Sequence, residues 1–139
     1  MKDTSYPIRK AYFTLISGLG YNVYDSKAPD SASKPYVILA SQTSQDESNK
    51  STFNNRVTIN IDIITAFNDG FGGRKSLDLI VDVILTAAIP QPHKAGITVS
   101  GFNIFATQKI MDMDFDPYVS DAQTIYRRVI TIEHLIQQI

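Results

Sequence analysis

The residues with most capacity for chemistry form the acidic run Asp112-Met113-Asp114-Phe115-Asp116-Pro117. Carboxylates at alternate positions resemble the opening of a calcium loop, whose side-chain ligands include positions 1, 3, 5 and 12 around a glycine at 6. Here Pro117 stands sixth and Gln123 twelfth, so the turn cannot bend as required and no bidentate carboxylate closes the shell. A solvated or partner-facing acidic loop is expected instead. The stretch Gly70-Phe71-Gly72-Gly73-Arg74-Lys75-Ser76 follows a strand pattern and opens a helix pattern, the right setting for a phosphate loop. A Walker loop would need glycine at positions 69 and 74, where Asp69 and Arg74 stand, and Asp69 would repel a triphosphate. These glycines read more simply as a flexible joint.

The two imidazoles, His93 and His134, lie in a proline-rich turn and near the end of the last strand pattern. Histidine metal sites draw on two or more such side chains sharing a face, and a hydrolytic triad needs a nucleophile, a base and an orienting acid. No Gly-x-Ser-x-Gly elbow is present: Leu15 and Leu19 flank Ser17 two residues away, and Thr98 and Phe102 flank Ser100. Both histidines are expected to be ordinary surface residues. No catalytic centre, cofactor site or metal site is visible. Phe71, Phe115 and Tyr118 fall in connectors, either as exposed anchors for a protein partner or as satellites tucked beneath their loops.

The 139 residues fit one domain, 1–139, with roughly 7,200 Å² exposed when folded against roughly 22,500 Å² unfolded. That is enough burial to fold without staples. Cysteine is absent, which rules out disulfides and thiolate metal sites and fits either a reducing compartment or an extracellular particle without covalent links. No apolar run follows Lys2, so a secretory signal is not expected, and synthesis in a cytoplasm is. No stretch of eighteen apolar residues suggests a membrane span. Thirteen basic against fourteen acidic residues, with Arg74-Lys75 and Arg127-Arg128 the densest basic pairs, argue against a protein that grips nucleic acid.

The elements that must position these residues can be read from periodicity. Ile8, Ala11, Tyr12, Leu15, Ile16 and Leu19 form one helical stripe, with Ser5 as N-cap, Pro7 in the first turn and Gly18 and Gly20 as the stop. Tyr21 to Tyr24 suggests a very short strand, and Asp25 to Lys34 a loop. Tyr36 to Ala40 is apolar on both sides of the pleat, as in a strand near the middle of a sheet. Gln42 to Asn55 is polar apart from Phe53, giving either a long hairpin with extended arms or a mobile loop.

Val57, Ile59, Ile61 and Ile63 then alternate with Thr58, Asn60 and Asp62. Leu77, Ile80, Val81, Ile84, Leu85 and Ala88 predict a second helix, ended by Pro90 and Pro92. Ile97 to Gln108 predicts a strand with a bulge or bend at Gly101, and Lys109 to Gln123 a second long connector. In the closing strand, Ile125 to Ile136, Tyr126, Arg128, Ile130 and Ile132 share one face, with Arg127, Val129, Thr131 and Glu133 on the other. The expected fold is α+β: a single-layer, mostly antiparallel (mixed) sheet of four to five strands, with both helices on the Val57–Ile63 face. The face bearing Thr58, Asn60, Asp62, Arg127, Thr131 and Glu133 is left to water or a partner.

This order and spacing resemble the tail terminator (tail completion) family of long-tailed bacteriophages and prophages over nearly the whole chain. The resemblance rests on the helix Ile8 to Leu19, then Tyr21-Asn22-Val23-Tyr24-Asp25, Ala28-Pro29 and Lys34-Pro35-Tyr36-Val37-Ile38-Leu39. The polar hairpin, the alternating Arg56 to Ala66 strand, the helix Arg74 to Ala88 and two closing strands follow in the family's order.

The resemblance implies a structural virion protein without enzyme activity or cofactor, assembled in a bacterial host. It would form a homo-oligomeric, hexameric ring that caps the tail tube protein, ends tube growth and offers a docking surface to a head-completion or connector protein. DNA would pass through the lumen without specific binding, and no membrane would be involved. Candidate partner- or lumen-facing loop residues are then Asp46, Glu47, Phe71, Asp112, Asp114, Phe115, Asp116 and Tyr118. Another head–tail connector or neck protein would share this size and fold style, and a small ligand-binding or enzymatic domain is the third alternative.

Overall fold

A computed structural model describes residues 1–68 and 72–139. The described residues form α1 (Ser5–Gly18), β1 (Val23–Asp25), β2 (Tyr36–Asp46), β3 (Asn54–Asn68), α2 (Lys75–Ala88), β4 (Phe102–Asp114), β5 (Tyr118–Ser120) and β6 (Gln123–Gln138). The strands make one mixed sheet in the order β1-β2-β3-β6-β4, with β5 pairing β6 beyond the end of β4. The β1–β2 pair is parallel and the remaining pairs are antiparallel. The α+β class is as expected, and the strand beyond the four to five foreseen is the three-residue β5.

The core follows from two periodicities meeting. Every fourth residue of α1 (Ile8, Tyr12, Ile16) is buried, as are Leu77, Ile80, Val81, Ile84 and Ala88 of α2. Register sets Ile59 opposite Ile132 and Ile61 opposite Ile130, so β3 and β6 present one apolar layer to both helices. All these side chains belong to a single buried cluster with Val37 and Leu39 of β2. Arg9 ties α1 to the sheet: its guanidinium donates to the Leu39 carbonyl at 2.9 Å, the Ala40 carbonyl at 3.2 Å and Gln42 Oε1 at 2.7 Å. The two carbonyls lie at the register shift between Leu39 and Gln42, and the Leu39 carbonyl also accepts from the Ser26 backbone N–H at 2.9 Å.

Local details depart from expectation at two places, the start of α1 and the run into β4, while the stretch 42–55 takes one of its two expected forms. Thr4, not Ser5, occupies the N-cap position of α1, and it makes no side-chain cap bond. Asp3 Oδ1 substitutes, accepting from the Ser5 backbone N–H at 3.1 Å and from Ser5 Oγ at 3.0 Å. The polar stretch 42–55 resolves as the long hairpin, β2 running on to Asp46 and β3 starting at Asn54.

The second departure is the larger. Residues 97–100 are irregular although Ile97 and Val99 are buried, and Gly101 turns the chain at φ +85° before β4 begins at Phe102. Of the bulge or bend expected at Gly101, the bend is present as this turn ahead of the strand, and β4 itself has two register shifts, between Ile104 and Ala106 and between Lys109 and Met111. Most of the expected connector 109–123 is the second half of β4 together with β5. Charged side chains do not prevent a strand at a sheet edge when partners lie beside them, and edge charges commonly guard such edges. Here Asp112 meets Arg128 and Lys109.

Candidate interaction surface

Residues directly opposite in an antiparallel ladder share a face. The register therefore places Thr58, Asn60, Asp62 and Ile64 of β3 with Glu133, Thr131, Val129 and Arg127 of β6 on the side away from the helices. The polar groups there satisfy one another. The Thr43 and Thr58 hydroxyls hydrogen-bond across β2–β3. Asn60 Nδ2 donates to Ser41 Oγ at 2.7 Å, and Thr131 Oγ1 donates to Asn60 Oδ1. Arg127 Nε donates to both Asp62 carboxylate oxygens at 2.9 Å, which allows Asp62 to be 6% exposed. That same bond raises the Arg127 pKa. The Arg127 guanidinium also lies 4.7 Å from the Phe115 ring centroid.

Met111 and Met113 stand at the rim of this face, 53% and 47% exposed. Together these residues enclose a shallow hollow of about 410 Å³ running from Ala40 to Phe115. At the far end, Ile64 and Ile125 are buried in register with Tyr36 and Tyr118, and Tyr36 packs edge-on against Tyr24 at 5.7 Å.

The candidate residues separate into two groups. Asp46 ends β2, where hydrogen bonds from Ser48 lower its pKa, and Glu47 pairs with Arg56 at 2.7 Å. Asp46 is level with Ile136 of β6 through Asn55, whereas Asp114 is level with Arg128. Eight residues of strand, about 27 Å, separate the two groups. Phe71 lies outside the described residues.

Asp112 and Asp114 are on β4 rather than in a loop, and both point to the helix side, where each has a cationic partner. Arg128 Nη2 meets Asp112 at 2.6 Å, and Lys109 Nζ meets it at 2.9 Å. The Arg128 hydrogen bond is the main reason the Asp112 carboxyl is held at about 2. Arg128 also reaches Asp78 on α2 at 2.9 Å, and Arg74 pairs with Asp114. Phe115 is half-buried beneath Arg127, and Tyr118 is half-exposed on β5. Asp116 is exposed and makes no ion pair among the described residues.

His134 is not a surface residue. It is completely buried between the Tyr12 hydroxyl, 2.6 Å from Nε2, and the Thr107 hydroxyl, 2.7 Å from Nδ1. A neutral imidazole offers one donor and one acceptor, and hydroxyls can serve both. Burial lowers its pKa to about 4 and raises that of Tyr12. The signal was available in strand parity, since His134 continues the even-numbered face of Ile130, Ile132 and Ile136. His93 is exposed in its turn, and the hollow beside it is lined by Lys94 and Asn103 with no carboxylate. Among the described residues, no three His, Asp or Glu side chains gather as metal ligands, and no helix is long and apolar enough to cross a membrane.

No family model and no curated protein matches the chain. Among solved structures, it is similar to a chain in the virion of a native gene transfer agent (GTA) particle, with a TM-score of 0.73 and 15% sequence identity. The likeness covers 99% of this chain and 99% of that one. At such identity it establishes a common fold, from end to end.

Proposed function

We propose that the chain is a structural subunit of a tailed, phage-like virion, located at the head-proximal end of the tail. In this reading it forms a ring, hexameric as the family resemblance implies, that caps the tail tube, stops its polymerisation and presents a surface to the head-completion protein. The observation that carries the proposal is the end-to-end likeness to a virion chain, with almost nothing left over on either side. It is supported by a sheet whose second face is covered by no helix among the described residues, because such a face suits contact with another subunit. The role is non-enzymatic: His134 is enclosed by hydroxyls, and His93 stands beside no carboxylate. A net charge of −1 suits a ring through which DNA passes without sticking. Asp112 and Asp114 are neutralised by arginine and lysine, so the partner-facing reading of the acidic run falls on Asp116.

The test is to mix purified protein with tail tubes and image them by electron microscopy. Caps at one end of the tubes and arrested tube growth are expected. Binding to portal-side proteins without capping would instead make this chain a neck or connector component.

A further inference from the structure

We infer that, in the assembled ring, the hollow on the uncovered sheet face of one copy receives the outward stripe of α1 from the next copy. This rests on the ring reading for its partner, a second copy of this chain, and adds the two faces that meet. Helix α1 carries two stripes. Ile8, Tyr12 and Ile16 face the core, while Tyr6, Lys10 and Phe13 repeat at i, i+4 and i+7 on the outside. Tyr6 is 71% exposed and Phe13 46%, and two large aromatic side chains in register with a cation form a helix-in-groove recognition face.

The receiving hollow offers what such a stripe requires. Met111 and Met113 are unbranched and adapt to aromatic rings, and Phe115 is already fixed beneath Arg127. Charge is complementary: Lys10 makes no ion pair among the described residues, and neither does Asp116 next to Phe115. The two patches cannot meet within one molecule. Helix α1 packs over β1 and β2, whereas β4 and β5 lie toward the opposite edge, three to four strand spacings or about 14 to 19 Å away, with the methionines on the other face. A contact between unlike patches on separate copies is heterologous and repeats head to tail until it closes.

The cysteine-free sequence allows a direct test. In the full chain carrying both Phe13→Cys and Met113→Cys, a short bismaleimide should produce a ladder of covalent oligomers up to the closed ring. An equimolar mixture of the two single variants should stop at dimers. Independently, Lys10→Glu or Asp116→Lys should each reduce the oligomer fraction in native mass spectrometry by about tenfold, and the two together should restore it. All four sites are on the surface, so folding, checked by circular dichroism, should be unchanged. A wild-type ring with no ladder and no response to charge reversal would overturn the face assignment and leave the ring intact. A wild-type chain that stays monomeric at high concentration would overturn both.

Discussion

Strands β3 and β6 show two environments on one backbone. Toward the helices, Val57, Ile59, Ile61 and Ile63 are at most 2% exposed, and the one polar side chain of β6 on that side at the same depth, His134, is enclosed by two hydroxyls. On the opposite side, one residue away along the same strands, the side chains are hydroxyls, amides and the Asp62–Arg127 pair, bordered by half-exposed methionines. The dry face needs its helices to exist. The polar groups at the centre of the wet face, from Thr58 to Asp62, are satisfied without a covering layer, and so that region can remain uncovered in a free subunit and still accept a partner. Folding information sits on one side of the sheet, and recognition has room on the other.

The comparison breaks most strongly at the centre of the dry face. Ile61→Ala should cost about 4 kcal/mol in urea unfolding, because both helices pack against a layer that cannot collapse into the gap. Acid should act next. The folded-state pKa of His134 is about 4 against an ordinary 6.5, so between those values the unfolded chain binds more protons. Stability should therefore be greatest above pH 7 and fall by about 3 kcal/mol as pH drops from 6.5 to 4. His134→Gln should flatten that slope in pH-dependent thermal unfolding. A further loss below pH 4 should survive the substitution, because it belongs to Asp112, whose carboxyl must be protonated from about 2.

On the wet face, Arg127→Met strands the Asp62 carboxylate, and with Arg127 itself 40% exposed the cost should be about 2 kcal/mol by chemical denaturation. Adding Asp62→Asn should recover much of that loss, since no charge is then left behind. Thr58→Val should change stability by less than about 0.5 kcal/mol while leaving the fold intact. A large effect of Thr58→Val on unfolding would mean that the wet face helps hold the fold together after all.

Both helices and the alternation of β3 were legible because burial writes a strong period into each of them, whereas the polar tip of the β2–β3 hairpin, largely exposed toward Asp46, left a mobile loop as an equal reading. The second half of β4 was not, because an edge strand needs no apolar alternation and its aspartates look like loop residues until Arg128 and Arg74 are brought beside them by β6 and α2. Those partners lie 16 to 40 residues away in sequence, counted from 112 to 128 and from 74 to 114. The candidate surface was partly legible. The face bearing Thr58, Asn60, Asp62 and Arg127 followed from strand parity, whereas the contributions of Met111 and Met113 depended on a register shift between Lys109 and Met111 that composition does not reveal. His134 was misread for the opposite reason: its parity was plain, but a titratable residue type outweighed it.

The sheet's middle is the last of its strands to leave the ribosome. β6 pairs with β3, β4 and β5, so until residues 123–138 emerge these three have no common neighbour, and β3 has a strand on one edge only, with its helices packed on an incomplete layer. A nascent chain of this kind must wait, with its sheet open, for the sixth strand. Closure of the sheet and the first chance to offer its uncovered face to another copy therefore both depend on this sixth strand.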